Sequence, residues 1–236
     1  MRFDTCAHTY DAHAAPQKAF AARVAAFLQG RSAGSVVEFG AGTGALTRHL
    51  CSQPGIEVHA TDVSPTMVDL GRAAVPQARW SVLDAFRGDL PKADLQVSSG
   101  LLQWAEDPVR VLMRWREALS EGGRMVHAFP CDPCLVEWRA LVQESPLQWR
   151  DEAAWRRVFD GAGLLVTRRE LWVDRHVFPS TLDMVRAMHR SGVTGRTRLN
   201  AGRLRGAIRS YELKHRRPKG VVATWAWLAI EAVPQR

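Results

Sequence analysis

An apolar run leads directly into three alternate glycines in Val36-Val37-Glu38-Phe39-Gly40-Ala41-Gly42-Thr43-Gly44-Ala45-Leu46-Thr47. The run predicts a buried strand, the glycines predict a tight turn, and Leu46 with Leu50 predicts the helix that follows. Glycine reaches positive φ at little steric cost and lets a ligand approach the backbone closely. Because ligands of α/β sheets bind at the carboxyl ends of strands, this turn predicts a site for a nucleotide-like ligand.

The glycine spacing differs from that of the dinucleotide-binding proteins. Residues 40–44 read G-x-G-x-G, whereas the third glycine of G-x-G-x-x-G comes one residue later. Three acids accompany the turn at strand ends: Glu38 before the glycines, Asp62 after the second strand, and Asp84 after the third. This combination resembles the S-adenosylmethionine-dependent methyltransferases of the Rossmann-like class. The resemblance implies S-adenosylmethionine as the cofactor.

Strand and helix patterns alternate along the chain from residue 35 onwards, which favours a mostly parallel sheet covered on both faces. Strands are predicted at 35–39, 56–61, 79–83, 94–98, 124–129, 164–173 and 221–233. Helices are predicted at 17–28, 44–53, 65–74, 107–119, 135–143, 151–159, 181–190 and 203–214. Gly122-Gly123 is expected to end the helix 107–119 and to start the strand 124–129. The pattern therefore predicts an α/β fold with a seven-stranded sheet, and the resemblance stated above implies that this is the Rossmann-like class I methyltransferase fold.

The domain organisation is predicted as one methyltransferase domain spanning residues 1–236. Its parts are an N-terminal helical arm (1–30), a cofactor-binding core (35–174), a basic helical cap (175–219) and the last strand (220–236). The cap is inserted before the last strand and is expected to pack over the glycine turn as a lid.

The composition indicates the class and the cellular location of the protein. The 236 residues are 46% hydrophobic and 24% charged, which is typical of globular domains. No apolar run approaches the roughly 18 residues of a transmembrane helix, and Met1 to Thr5 carries no apolar signal core. We expect a cytoplasmic protein without a membrane partner.

The four cysteines include one C-x-x-C pair, Cys131-Asp132-Pro133-Cys134. A structural zinc site needs a second pair or histidines at ligand spacing, and the sequence offers no such set. We expect reduced thiols in a loop and no metal site, with a redox or zinc role as the alternative.

The positive charge of the chain is concentrated in one segment. Residues 1–180 carry 20 Lys and Arg against 21 Asp and Glu, whereas residues 181–220 carry 11 against only Asp183 and Glu212. The net charge of +8 therefore arises from about 40 residues of the cap. Such a segment indicates an acidic partner.

Further sequence pieces resemble the malonyl-acyl carrier protein methyltransferases of biotin synthesis, the BioC family. The matching pieces are Phe3-Asp4, Ala7-His8-Thr9-Tyr10-Asp11, His13-Ala14, Gln17, Ser98-Ser99-Gly100-Leu101-Leu102-Gln103-Trp104, Leu135-Val136-Glu137-Trp138, Phe178, Leu182-Asp183-Met184-Val185-Arg186, Gly192-Val193-Thr194 and Thr224-Trp225. The resemblance covers nearly the whole chain. It departs at Gly100, where a bulkier residue is common, at the loop 131–134, and in the density of basic residues in the cap.

This resemblance implies methyl transfer from S-adenosylmethionine to the free carboxylate of a malonyl thioester on acyl carrier protein or coenzyme A. The product primes the synthesis of the pimeloyl chain of biotin. A carboxylate with a pKa near 4 is already ionised at pH 7, so it needs no general base. Catalysis then consists of alignment with the methyl group and exclusion of water.

The resemblance also implies roles for individual cofactor-site residues. Those expected to contact the cofactor are Glu38, Gly40, Gly42, Gly44, Asp62, Val63, Met67, Asp84, Ala85 and Ser98. Asp62 is expected to bind the ribose hydroxyls, with capping of the following helix as the alternative. Asp84 is expected at the adenine amino group. Ser98 is expected to face the transferred methyl. Glu38 is expected to lie near the cofactor's amino group or the turn's backbone, with a structural role in the turn as the alternative.

The acceptor pocket is expected to be formed by Tyr10, Gln103, Trp104 and Arg139. Tyr10 would donate to the carboxylate from the folded-over arm, and Arg139 would pair with it, with a solvated helix arginine as the alternative. The acidic carrier protein is expected to dock on the basic residues Arg186, Arg190, Arg203, Arg205 and Arg209.

Three rival functions remain open. A trans-aconitate-type methyltransferase of a small acid would leave the basic segment without a purpose. An RNA methyltransferase would use that segment for phosphates, but Tyr211 alone supplies an aromatic ring within 181–220, and no N/D-P-P-Y/F sequence follows the fourth strand. A non-catalytic protein of the same fold is disfavoured by the intact glycine turn, Asp62 and Asp84.

Overall fold

The structure is a computed structural model that describes residues 15–30, 34–142, 145, 147–190 and 200–235. Tyr10 and the segment 192–194 lie outside these residues, as does the side chain of Arg190.

The fold is organised around one mixed sheet. Its strands are β1 (Ser35–Phe39), β2 (Glu57–Asp62), β3 (Arg79–Val82), β4 (Ala93–Ser99), β5 (Leu119–Pro130), β6 (Leu164–Phe178), β7 (Arg216–Arg217) and β8 (Gly220–Pro234). The order is β3-β2-β1-β4-β5-β8-β6, and the two-residue β7 pairs with β8. The strands from β3 to β5 are parallel, and β8 is antiparallel to both β5 and β6. The predicted Rossmann-like fold is confirmed, with β7 as an addition.

Eight α-helices accompany the sheet in the described part of the chain. They are α1 (Ala15–Leu28), α2 (Ala45–Cys51), α3 (Pro65–Ala74), α4 (Pro108–Glu117), α5 (Val136–Val142), α6 (Glu152–Gly161), α7 (Thr181–Arg190) and α8 (Ala201–His215). Side-chain caps start several of them, because Asp107, Asp151 and Asn200 each accept the backbone N–H three residues later. Two apolar cores result, one on each face of the sheet.

The fifth strand begins earlier than the glycines predict. β5 starts at Leu119, so Gly122 and Gly123 lie inside it. A Cβ at Gly123 would lie 2.8 Å from the carbonyl oxygen of Ser120. This glycine therefore permits close backbone packing at an irregular strand start, where the pairing register with β4 also shifts.

The two long antiparallel strands extend beyond the parallel sheet. β8 pairs with β5 only from Trp227 to Ala232, whereas its pairing with β6 runs from Val221 to Pro234. Residues 220–226 of β8 therefore continue past the carboxyl end of β5. Together with the end of β6 they form a two-stranded wall beside the edge of the sheet where the strands β1 to β4 end.

The cap packs on this wall. Tyr211 of α8 donates its hydroxyl to the carbonyl oxygen of Val222 at 2.7 Å, and its ring meets Trp138 of α5 edge-on. Met184 and Met188 of α7 belong to the same apolar core as Ala223. No described cap residue lines the cavity at the glycine turn, so the predicted lid position is wrong for the described residues. Instead, α7 packs against β6 and α8, and α8 packs against α5 and β8.

None of the helices in the described ranges combines the length and the apolar character that crossing a membrane requires.

Candidate active site

A cavity of about 700 Å³ opens at the carboxyl ends of β1 to β4. Its described lining comprises Gly40, Gly42, Asp62, Val63, Met67, Leu83, Asp84, Ala85, Phe86, Arg87, Ser99, Gly100, Leu101, Trp104, Ala105, Glu106, Asp107, Arg110, Val111 and Arg114. The size is within the range of small-molecule and cofactor sites. Four neighbouring strand ends, each followed by a loop, thus build one concave site.

The carboxylate of Asp62 is held at the rim by two backbone groups. Its Oδ2 accepts the N–H of Gly42 and its Oδ1 accepts the N–H of Ser64, each at 2.9 Å. The cap of α3 is Ser64, whose hydroxyl accepts the N–H of Met67. Because Ser64 performs the capping, Asp62 is left as an oriented carboxylate whose oxygens have further lone pairs for a ligand.

The three glycines of the turn have different surroundings. All have positive φ, but only Gly40 and Gly42 line the cavity. Space within 4 Å of a Cβ on Gly42 is open, so backbone can approach a ligand there. Gly44 instead begins α2, where a Cβ would lie 3.0 Å from Val75 and 3.3 Å from the Trp80 ring. Its requirement for glycine comes from this close packing and from its positive φ of 86°.

Glu38 lies beneath the turn and is absent from the cavity lining. Its Oε2 accepts the Thr47 hydroxyl at 2.6 Å, and its carbonyl oxygen accepts the Thr61 hydroxyl at 2.8 Å. Burial raises the pKa of this carboxyl to about 8. The side chain thus ties the end of β1 to α2 and β2.

A loop after β3 forms the opposite side of the cavity. The carboxylate of Asp84 accepts the N–H of Phe86 at 2.9 Å. Arg114 of α4 donates to the carbonyl oxygens of Phe86 and Gly88, the latter at 2.7 Å. The indole of Trp115 donates to the carbonyl oxygen of Ala85 at 2.8 Å. Sequence reasoning missed the support from α4, because nothing in the sequence indicates which carbonyl an arginine reaches.

Ser98 lies below the cavity, which corrects the prediction that it faces the transferred methyl. Its hydroxyl is 2.9 Å from Nδ1 of His127, and both residues are fully buried. Burial lowers the pKa of His127 to about 3, so the ring is neutral. Successive strand side chains point to opposite faces, and the lining at this strand end is formed by Ser99 and Gly100.

The segment after β4 carries the predicted acceptor residues. Trp104 lines the cavity, whereas Gln103 lies beside it and donates its amide Nε2 to the carbonyl oxygen of Gly100 at 2.7 Å. A Cβ on Gly100 would lie 3.0 Å from Cη2 of Trp227. Gly100 therefore separates the cavity from the start of the β6–β8 wall.

Arg139 is neither solvated nor part of the cavity lining. Its guanidinium pairs with Asp132 and lies 4.4 Å from the ring centroid of Trp149. The structure therefore assigns its charge to the loop before α5. Tyr10, the other predicted carboxylate ligand, lies outside the described residues.

The C-x-x-C pair is buried among apolar side chains. Burial raises the pKa of Cys131 and of Cys134 to about 12, and the Cys131 thiol donates to the carbonyl oxygen of Arg150. Protonated thiols are poor metal ligands. In the described ranges, no group of three or more His, Cys, Asp and Glu side chains is placed to hold a metal ion.

The cavity fits S-adenosylmethionine chemically. Open space at Gly42 suits a ligand that approaches the backbone. The carboxylates of Asp62 and Asp84 suit the hydroxyl and amino donors of a nucleoside, and Met67, Leu83 and Val111 supply apolar surface for a base.

Comparison with known proteins supports the same assignment. Residues 37–125 match the family model described as a methyltransferase domain. The malonyl-[acyl-carrier protein] O-methyltransferase of Paenibacillus sp. (strain JDR-2) is 24% identical over 97% of this chain and 95% of its own length. The trans-aconitate 2-methyltransferase of Mycobacterium tuberculosis (strain ATCC 25177 / H37Ra) is 34% identical over 47% of this chain and 44% of its own length.

Solved structures show the fold. A candidate methyltransferase of Bacillus halodurans C-125 superposes with a TM-score of 0.70 at 10% identity, covering 92% of this chain and all of that one. Geranyl diphosphate methyltransferase, solved with S-adenosylmethionine, superposes with a TM-score of 0.57 at 14% identity, covering 92% and 84%. The methyltransferase-domain match and the methyltransferase relatives, taken with this fold and the cavity, identify the protein as an S-adenosylmethionine-dependent methyltransferase.

Proposed function

We propose that the protein transfers a methyl group from S-adenosylmethionine to the free carboxylate of a malonyl thioester carried on acyl carrier protein, giving the methyl ester that primes the pimeloyl chain of biotin. The name of the Paenibacillus relative, which aligns with nearly the full chain, supports this acceptor. A small-acid methyltransferase of the trans-aconitate type is the second candidate, supported by the mycobacterial relative.

The observation that carries the proposal is the absence of a general base from the described cavity lining. That lining contains no His, Lys, Cys or Tyr. Its four acids have other surroundings: Asp62 is held by two backbone N–H groups, Asp84 accepts the N–H of Phe86, Asp107 caps α4, and Glu106 is exposed. Hydroxyl and amine acceptors commonly need proton removal, whereas a carboxylate is ionised at neutral pH. The site therefore suits an acceptor that arrives already nucleophilic.

Seven of the predicted site residues have a proposed task in this reaction. S-Adenosylmethionine supplies a methyl group on a cationic sulfur. Asp62 would bind the ribose hydroxyls and Asp84 the adenine amino group, while Met67 and Ala85 would cover the base. Trp104 would exclude water beside the acceptor. Glu38 and Ser98 lie beneath the cavity and would position its lining by holding the ends of β1 and β4.

The surface of α8 supports a macromolecular acceptor. Arg203, Arg205 and Arg209 are exposed on this helix. The two acids of the segment 181–220 have partners within it, because Asp183 pairs with Arg186 at 3.7 Å and Glu212 pairs with Arg216. Two acids cannot neutralise the 11 Lys and Arg of the segment, so an excess of positive charge remains. A small acidic carrier protein suits such a surface, whereas trans-aconitate needs none.

The test is a methyl-transfer assay with labelled cofactor. Malonyl carrier protein, malonyl-pantetheine, trans-aconitate and bulk RNA are offered separately to the full-length protein. We expect the highest kcat/KM for malonyl carrier protein and a base-labile ester product. Preferred turnover of trans-aconitate would establish the second candidate instead, and label in RNA would overturn both.

A further inference from the structure

Leu213 of α8 is the most exposed large apolar side chain among the described residues, with 79% of its surface open to solvent. Ala207 and Tyr211 of the same helix are buried, and Leu204 and Ile208 pack against the core beside them. With 3.6 residues per turn, Leu213 lies on the opposite side of the helix from this buried stripe. A single exposed leucine is common in proteins, so its significance depends on its neighbours.

A second exposed leucine lies at the start of α7. Glu212 of α8 accepts both the backbone N–H and the hydroxyl of Thr181, at 2.8 and 2.6 Å. Leu182 and Leu213 are the residues that follow the two members of this pair, and Leu182 is 43% exposed. The hydrogen-bonded pair therefore brings two exposed leucines of different helices to the same part of the cap.

Arginines flank the two leucines on the same helices. Arg205 and Arg209 precede Leu213 by about two turns and one turn of α8, and both are exposed. Arg186 follows Leu182 by one turn of α7, and its side chain is 58% exposed. In the described part of the cap, neither Arg205 nor Arg209 takes part in an ion pair. We refer to these five residues as the leucine–arginine surface.

The leucine–arginine surface has relief as well as charge. Gly206 lies on the same face of α8 as Leu213, about two turns away, and a Cβ at Gly206 would meet nothing within 4 Å. Beside it, α5 and α8 enclose a notch of about 240 Å³, lined by Leu141, Val142, Arg203, Gly206, Ala207 and Ser210. A protruding leucine at one end and a notch at the other suit a folded partner that can approach the helix closely.

The composition of this surface favours an acidic protein over other polyanions. Single-stranded nucleic acids stack their bases on aromatic rings, but the ring of Tyr211 on α8 is buried. Helices that lie on membranes insert a continuous apolar face, whereas the large apolar side chains of α8 other than Leu213 pack against the core. Protein interfaces combine a small apolar centre with a charged rim, and this combination is present here.

We propose that Leu213 is the apolar anchor of the surface on which the acidic carrier protein docks, with Leu182 beside it and the arginines as its rim. This inference rests on the proposed function and extends it from attraction to anchoring. Charges mainly set the rate of association and its salt dependence, whereas a buried apolar anchor slows dissociation. Because salt screens charges and not apolar contacts, the two contributions can be separated by experiment.

The experiment compares Leu213→Ala with a matched control. Alanine is the best helix former, so α8 should keep its structure. Leu165→Ala is the control, because Leu165 is 54% exposed but lies on β6 outside the cap. The measured quantities are KM and kcat for malonyl carrier protein and for malonyl-pantetheine, each at about 0.1 M and 0.5 M sodium chloride. The melting temperature of each protein is also measured.

We expect Leu213→Ala to raise the KM of malonyl carrier protein roughly tenfold, the scale of one interface anchor, and by a similar factor at both salt concentrations. The KM of malonyl-pantetheine should stay within about twofold, and Leu165→Ala should leave both values unchanged. An unchanged KM for malonyl carrier protein, or equal losses on the two substrates, would overturn this inference alone. Leu213→Gln, which keeps the length of the side chain, replaces the alanine variant if alanine lowers the melting temperature.

Further outcomes separate this inference from the proposed function. Wild-type protein that methylates only trans-aconitate would overturn the proposed function and this inference with it. If the wild type methylates no acceptor, the Kd of malonyl carrier protein is measured on the S-adenosylhomocysteine complex. Binding that Leu213→Ala weakens would support the anchor, and absence of binding would overturn it. Loss of binding to phosphatidylglycerol vesicles or bulk RNA in Leu213→Ala, with carrier-protein turnover intact, would assign the surface to that partner and overturn this inference alone.

Discussion

The backbone N–H of Gly42 donates to Oδ2 of Asp62 across 2.9 Å. The turn after β1 therefore orients the carboxylate at the end of β2, and β1 and β2 are neighbours in the sheet. A ligand in the cavity meets this carboxylate in a fixed orientation, because the Ser64 N–H holds the other oxygen. Cofactor affinity should depend on it.

Asp62→Ala should weaken S-adenosylmethionine binding by about 1.5–3 kcal/mol, the scale for hydrogen bonds to a charged group. Calorimetric titration measures the loss. Asp69→Ala is a matched control, because Asp69 is an exposed acid that pairs with Arg72 on α3. Equal affinity of a folded Asp62→Ala protein and the wild type would remove Asp62 from the cofactor site.

The pH dependence of the chemical step distinguishes the acceptor classes. With a pre-ionised carboxylate acceptor, the single-turnover rate should be flat from about pH 6 to 8, because no group of intermediate pKa loses a proton. Rapid-quench measurements with saturating cofactor test this. A steep rise with a midpoint near pH 7 would indicate a general base and a hydroxyl or amine acceptor.

Reversing the charge of Arg203, Arg205 and Arg209 to glutamate should raise the KM of malonyl carrier protein strongly and leave cofactor affinity unchanged. Long-range attraction steers the encounter, so salt should mimic the change as the Debye length falls from about 10 Å at 0.1 M to about 3 Å at 1 M.

The control is the same reversal at Lys92, Arg156 and Arg157, which are exposed outside the cap. Malonyl-pantetheine serves as the uncharged-carrier substrate. If the α8 variant lost activity equally on carrier-bound and free malonyl-pantetheine, α8 would not be the docking surface.

Two buried titratable groups should give opposite pH trends in stability. The raised pKa of Glu38, about 8, means that the folded state keeps a proton that the unfolded state has lost, so stability falls as pH rises from about 4.5 to 8. The lowered pKa of His127, about 3, means that the unfolded state gains a proton first, so stability falls as pH drops below about 6.5.

Denaturant unfolding of Glu38→Gln and His127→Gln across pH 4 to 9 tests both signs. Each substitution should remove its own slope, at most about 1.4 kcal/mol per pH unit, and leave the other. A Glu38→Gln protein whose stability still falls between pH 5 and 8 as steeply as that of the wild type would contradict the assignment.

Local sequence patterns were sufficient to predict most of the fold. The periodicity of apolar side chains and the residue preferences of turns act over only a few residues. They were enough to predict the strand at 36–39, the glycine turn and the spacing of the following strands. The positions that line the cavity near Gly40, Asp62 and Asp84 follow from the same rule, because parallel strands end at one edge of the sheet. The β5 start was misplaced, since irregular backbone packing at Gly123 depends on neighbouring chains.

The orientation of particular side chains needed the tertiary structure. Sequence alone determined that residues 98–104 lie at the end of β4, and that the positive charge lies in 181–220. Only the three-dimensional packing decided that Ser98 contacts His127, that Arg139 pairs with Asp132, and that the cap covers β8. The physical reason is that the Ser98–His127 and cap–β8 contacts join residues distant in sequence. Even for Arg139, which is only seven residues from Asp132, a few ångströms of backbone placement select one partner among many chemically equivalent ones.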